Sequence, residues 1–194
     1  MACNDIEIEI QVNVEHINPL YSFLDSHGVF VAQKHQIDEY FSPIDNDFLS
    51  VRPVVQWLRV RDTDGVCSMN YKNWHVDEQG RSYFCDEFET IVQSGEQIKK
   101  IFSVLKFKSI AVVDKTRKIW TFGDYEIAID AVKNLSDFVE IEYIGSDEKV
   151  DPKKITNQMI DFLKKVGCGT IKRNYVGYPF LLLFPQETIV EIYS

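Results

Sequence analysis

Apolar and polar residues alternate at period two along much of this chain, most clearly at Glu7-Ile8-Glu9-Ile10-Gln11. Such alternation marks a strand with one apolar and one polar face. The same pattern predicts strands over residues 30–41, 55–61, 68–74, 83–91, 109–122, 125–132 and 138–144, with Gly123-Asp124 as a hairpin turn between two of them. Helical spacing replaces it in three places. One helix is expected from Asn18-Pro19 to Gly28, with Asn18 as cap, Pro19 in the first turn and Gly28 as the stop. A second is expected around Ile98, Ile101, Phe102 and Leu105. A third runs from Asp151-Pro152 to Gly167, with Ile155, Met159, Phe162, Leu163 and Val166 on one face. About eight strands with short connections imply an α+β, mainly β chain. The expected architecture is an eight-stranded antiparallel β-barrel or strongly curved sheet, folded as one domain over 1–194 with helices outside.

The polar faces carry the chemistry. Glu7 and Glu9 share a face about 7 Å apart, as do Arg59 and Arg61, Glu87 and Glu89, Lys115 and Arg117, and Glu140 and Glu142. Lys72 stands on the face of Asn70, and Asp130 lies opposite Ile127 and Ile129. A single doublet of this kind is the ordinary solvent face of an amphipathic strand. Five same-sign doublets are a different matter. Each repels itself by about 2–3 kcal/mol at an effective dielectric near 20, a cost relieved when strands of opposite sign face each other or a ligand adds the missing charge. Acidic doublets suit Mg²⁺ or Mn²⁺, which prefer hard oxygen ligands. Arginine and lysine doublets suit phosphate oxygens. A cavity lined by both suits a metal-bound polyphosphate.

Composition narrows the field. A net charge of -9 argues against a general nucleic-acid or membrane-surface binder. Cys3, Cys67, Cys85 and Cys168 form no Cys-x-x-Cys pair, the amino terminus lacks a signal-peptide pattern, and the apolar run 180–184 is too short to cross a bilayer. A cytoplasmic, reduced protein is expected, with a homodimer as the default assembly. His16, His27, His35 and His75 show no metal-ligand spacing.

Taken in order, the motifs Glu7-Ile8-Glu9-Ile10-Gln11, Asp38-Glu39-Tyr40-Phe41, Leu58-Arg59-Val60-Arg61, Tyr71-Lys72, Glu87-Phe88-Glu89, Lys115-Thr116-Arg117, Asp130, Glu140-Ile141-Glu142 and Arg173-Asn174-Tyr175 resemble the CYTH superfamily, which groups class IV adenylate cyclases with thiamine triphosphatases. The resemblance covers nearly the whole chain. It implies a triphosphate tunnel in which Glu7, Glu9, Asp130, Glu140 and Glu142 hold Mg²⁺ or Mn²⁺ ions. Arg59, Arg61, Lys72, Lys115, Arg117 and position 11 would then grip the triphosphate, while Glu87 and Glu89 orient those groups or assist the metals. Glu7, Glu9, Lys72, Glu87 and Glu89 are the implied catalytic set. Motif spacing is closest to the adenylate cyclase branch, in which ATP yields cyclic AMP and pyrophosphate.

Two residues depart from the pattern. Gln11 stands where the hallmark has lysine, and Cys85 stands where the cyclase branch tends to have arginine. Both weaken the positive side of the tunnel. Hydrolysis of a triphosphate, triphosphate binding without turnover, and a barrel with solvated charged faces are therefore weighed beside cyclisation. Cys85 reads as a packed strand residue rather than a reactive thiol. Tyr40, Trp57, Trp74 and Tyr175 are candidates to stack on a base or to pack the core.

Overall fold

The computed structural model describes residues 6–147, 149–187 and 189–194; Cys3 lies outside them. Seven strands follow the predicted order with slightly different ends: β3 (Val29–Pro43), β4 (Gln56–Thr63), β5 (Val66–Val76), β6 (Ser82–Val92), β7 (Phe107–Phe122), β8 (Tyr125–Val132) and β9 (Asp137–Tyr143). The acidic amino-terminal stretch divides into β1 (Ile6–Glu7) and β2 (Glu9–Val14). Two short strands were not expected, β10 (Ile171–Asn174) and β11 (Val190–Tyr193). The helices are α1 (Asn18–His27), α2 (Gly95–Val104), α3 (Pro152–Val166) and an unexpected α4 (Gly177–Leu183).

Among the described residues, eleven strands form one sheet in the order β1-β6-β5-β4-β3-β7-β8-β9-β2-β10-β11, every pairing antiparallel. A closed eight-stranded barrel is thus a correction to make: the sheet has more strands and does not close. It curls until the edge strand β1 runs on into β2 at Ile8. Glu7 pairs with Cys85 on β6, whereas Glu9 pairs with Glu142 on β9. One extended segment therefore belongs to both walls, which is why the ladder breaks there.

Sidedness follows from the alternation. Ile8, Ile10, Val12, Ile127, Ile129, Val139 and Ile141 turn outward onto Leu20 and Leu24 of α1 and Ile155, Met159, Ile160 and Leu163 of α3. The doublets face inward. A second cluster, with Tyr40, Trp57, Val113, Phe138, Tyr178 and Phe180, closes one end beneath α4.

Local signals explain most boundaries. Asp151 caps α3 by accepting from the Lys153 and Lys154 amides at 2.9 and 3.4 Å, and Gly167 ends it at φ +90°. The start of α1 differs from expectation, because Ile17 precedes it without a side-chain cap and Asn18 is already helical. Gly28 is extended, not left-handed. Glycine is needed because a Cβ would lie 2.9 Å from the Leu24 carbonyl oxygen as the chain turns straight into β3. Asp64-Gly65 joins β4 to β5 with both φ positive, a hairpin signal as plain as Gly123-Asp124.

Candidate functional site: a cavity with opposed cationic and acidic walls

Inside the curled sheet lies a cavity of about 740 Å³, lined by Glu7, Glu9, Gln11, Arg59, Arg61, Lys72, Glu87, Glu89, Lys115, Arg117, Glu140 and Glu142. Every candidate site residue except Asp130 is on its wall. Strand register places them. Directly paired residues on antiparallel strands share a face, and the register sets Asp38 opposite Arg61, Tyr40 opposite Arg59, Lys72 opposite Glu87 and Arg117 opposite Asp130.

The cationic wall is built on two buried aspartates. Asp38 accepts from Arg61 Nε and Nη2 at 2.6 and 2.7 Å, with Arg59 Nη1 at 3.6 Å. Burial alone would raise the Asp38 carboxyl, but Arg59 and then Arg61 hold it well below the usual range. Asp130 is 0 % exposed. It accepts from Arg117 Nε and Nη2 at 2.7 and 2.6 Å, from Lys115 Nζ at 2.9 Å and from the Tyr178 hydroxyl at 2.8 Å. The resemblance makes Asp130 a metal ligand; the structure instead places it behind the wall as the counter-ion of two cations. Burial, followed by neighbouring Arg117, pushes Lys115 down to about 8. Among the described residues, the Arg59 Nε donor is buried without a partner. Donors left over on a fixed, desolvated cationic wall are what phosphate oxygens require.

The opposite wall is acidic, with Lys72 at its centre. Lys72 Nζ lies 2.5 Å from Glu7, 3.6 Å from Glu9 and 3.8 Å from Glu87. Register sets Glu9 directly against Glu142, a like-charge pair. Burial, then the Glu7 charge, pushes Glu9 up to about 8; burial, then the Glu9 charge, pushes Glu142 up to about 7. Glu7 is raised by burial as well. Burial would also raise Glu87, yet Lys72 and the Asn70 amide hold it low. Glu89 is exposed at the mouth and accepts from Ser68 Oγ at 2.9 Å.

Glu140 joins the two walls. One oxygen accepts from Arg117 and the other from Gln11 Nε2 at 2.9 Å. Burial opposes its ionisation, but Arg117 and Lys115 hold its carboxyl well below the ordinary value. Gln11 in turn accepts from Asn174 Nδ2 at 2.6 Å, which its register partner on β10 makes possible. The amide therefore does two jobs, donating to a carboxylate and accepting from an amide. A lysine could do only the first. Gln11→Lys is expected to lose about 1–3 kcal/mol of stability, since it sets an ammonium against the Asn174 donor. Adding Asn174→Asp supplies an acceptor and recovers most of the loss. Urea unfolding of both variants checks this; a single variant as stable as the parent contradicts the pairing.

Cys85 is fully buried and free, and its Sγ donates to Glu7 Oε2 at 3.3 Å. Burial pushes its thiol far up, so it is an inert positioning group.

The acidic wall fits a divalent cation. Glu7, Glu9 and Glu142 present hard oxygens on one wall of the cavity, with Glu9 set directly against Glu142. Among the described residues, no three His, Cys, Asp or Glu side chains are already gathered at one point.

A CYTH domain model matches residues 5–175. The chain belongs to the CYTH family. A protein of Methanocaldococcus jannaschii, provisionally named an adenylate cyclase, is 32% identical over 175 residues, covering 88% of this chain and 97% of the relative. Two solved proteins of Pyrococcus horikoshii share the fold. One has a TM-score of 0.75 at 21% identity, covering 93% of this chain and 99% of the other. The second has a TM-score of 0.67 at 26% identity, covering 83% and 90%. A Hippeastrum protein with an adenylyl cyclase name and a dominant triphosphatase activity aligns at a TM-score of 0.63 and 17% identity, covering 92% and 95%. This CYTH chain carries its charged doublets on the cavity wall. No described helix is long and apolar enough to cross a membrane.

Sequence reasoning assigned no role to Asp38, Asn174 or Tyr178. Asp38 was legible as the residue between Gln36 and Tyr40 on an alternating strand. Tyr178 was not, because α4 has only seven residues and no capping side chain.

Proposed function

We propose that this CYTH protein is a metal-dependent enzyme acting on a triphosphate, and that its reaction is the cyclisation of ATP to cyclic AMP and pyrophosphate. One observation carries the reading. A single cavity is walled on one side by Arg59, Arg61, Lys115 and Arg117 and on the other by Glu7, Glu9 and Glu142. The adenylate cyclase name of the Methanocaldococcus jannaschii relative supports the choice of reaction.

In this reading Arg59, Arg61, Lys115 and Arg117 bind the phosphate oxygens. Asp38 and Asp130 fix the guanidinium planes, so that charge leaving with the pyrophosphate meets donors already in place. Glu7, Glu9 and Glu142 would hold Mg²⁺ or Mn²⁺, which when bound neutralises phosphate charge and acidifies an attacking hydroxyl. Lys72 holds Glu7 and Glu9 in one orientation and keeps the wall from repelling the ligand. The ribose 3′ oxygen bonds to the α-phosphorus, its proton passes to solvent water, and the bond from that phosphorus to the bridging oxygen breaks to release pyrophosphate.

Incubation with ATP and Mn²⁺ is expected to give cyclic AMP and pyrophosphate. ADP with orthophosphate would replace cyclisation by hydrolysis, the activity stated for the Hippeastrum protein. A second reading, triphosphate binding without turnover, is favoured by the uncharged Gln11. It predicts metal-dependent thermal stabilisation by tripolyphosphate with no product at enzyme concentrations near that of substrate.

A further inference from the structure

The charged cavity is closed at one end and rimmed with hydrocarbon at the other. Tyr40, Trp57 and Tyr178 are buried beneath α4 at the closed end. From there the inward residues of each strand lead through the charged doublets to the opposite rim. Val31, Val66 and Ile91 stand at that rim, lining the same cavity. They are 52, 58 and 77 % exposed.

This reverses the usual order, in which polar side chains meet solvent and apolar ones lie behind them. On β6 Glu87 and Glu89 lie behind Ile91, on β5 Lys72 lies behind Val66, and on β3 Lys34 lies behind Val31. Register pairs Val66 with Thr63 and Ile91 with Ser68, which puts Val66 and Ile91 on one face of neighbouring strands. Branching at Cβ leaves valine and isoleucine few rotamers, so the three make a preformed surface that loses little entropy when covered. The rest of the rim is acidic, with Asp64, Glu89 and Glu126. A second copy of this chain, at net charge -9, would bring like charges together there. An uncharged group with apolar faces, carried in by phosphates that bind deeper, meets no such opposition.

We propose that Val31, Val66 and Ile91 form a collar that holds the nucleoside of the triphosphate at the open rim, with the phosphates running inward toward the closed end. The proposal rests on the triphosphate reading above and deepens it. The three side chains carry no polar atom, so they contact the faces of a ring and leave its edges to water. ATP fits such a collar, which adds affinity for a nucleoside without choosing among bases.

Calorimetry in Mn²⁺ measures the affinities of 3′-deoxyadenosine triphosphate, which cannot cyclise, and of tripolyphosphate, which has no nucleoside. Val66→Ser combined with Ile91→Ser is expected to lower the nucleotide-to-tripolyphosphate affinity ratio about tenfold. Val66→Ile combined with Ile91→Val keeps the apolar area and should hold the ratio within about twofold of the parent. If the serine pair fails to fold, by circular dichroism, Val31→Thr, close in shape and on another strand, should lower the ratio about threefold. An unchanged ratio overturns the proposal, as does an equal loss for both ligands or a parent that binds tripolyphosphate alone. A parent that sediments as a dimer and a serine pair that sediments as a monomer, with the ratio unchanged, assigns the collar to contacts between copies and likewise overturns it. If tripolyphosphate does not bind the parent, the triphosphate reading falls, and line broadening in the proton spectrum of millimolar adenosine decides the collar separately. Broadening that is lost in the serine pair supports it; a parent that causes none overturns it.

Discussion

Asp130→Asn is expected to destabilise the protein by about 3–5 kcal/mol, the cost of breaking a buried ion pair from one side. The carboxylate is fully enclosed and answers Arg117, Lys115 and Tyr178 together. Asparagine keeps the size, loses the charge and leaves two cations facing each other. Urea unfolding in EDTA measures the loss. Adding tripolyphosphate without metal should recover part of it, because phosphate oxygens reach the same Arg117 and Lys115 from the cavity side. A metal ligand would behave otherwise: its removal would cost little in EDTA and much with Mn²⁺. A loss below about 1 kcal/mol in EDTA would return Asp130 to that role.

The second large effect is a fall in stability with rising pH. Glu9 and Glu142 are pushed up to about 8 and about 7 in the folded protein, whereas an unfolded glutamate titrates near the ordinary value, about 4.3. A carboxyl with a raised folded value binds its proton more tightly when folded. That stabilisation is complete below the unfolded value and is lost as pH rises through about 7 and then about 8. The metal-free protein is expected to lose a few kcal/mol between pH 5 and pH 8. Asp38 and Glu140 are lowered instead, so their contributions change only in more acid solution. Lys115, lowered to about 8, works in the opposite direction, relieving the destabilisation only as pH rises past 8. Urea midpoints from pH 5 to 8 in EDTA read the slope, Glu9→Gln should flatten it, and Mg²⁺ or Mn²⁺ should restore stability at pH 8. A flat profile would show that Glu9 and Glu142 do not crowd each other.

Much of the site was legible because period two is a strict rule within a strand. Glu7 with Glu9, Arg59 with Arg61 and Glu140 with Glu142 had to share faces whatever the fold. The three helices were legible from apolar spacing, and Asp151 and Gly167 mark α3 as capping chemistry predicts. What alternation cannot say is which strand lies alongside. The Glu9–Glu142 pair joins residues 133 positions apart, and only register brings these two carboxyls together. The Gln11–Asn174 hydrogen bond spans 163 positions, so the replacement of lysine looked like a simple loss of charge.

The chain's own pattern therefore determined the faces, the sign of each charged wall and the helix ends, since these depend on neighbours within a few residues. Tertiary structure alone decided that the sheet stays open while β1 runs on into β2 at Ile8, that Asp130 lies behind the cations, and that Arg173, the register partner of Glu191, is buried against Tyr83 and Tyr175. Those features depend on pairing between distant strands, and β10 and α4, which supply Asn174, Arg173 and Tyr178, are too short to signal themselves before the fold brings them in.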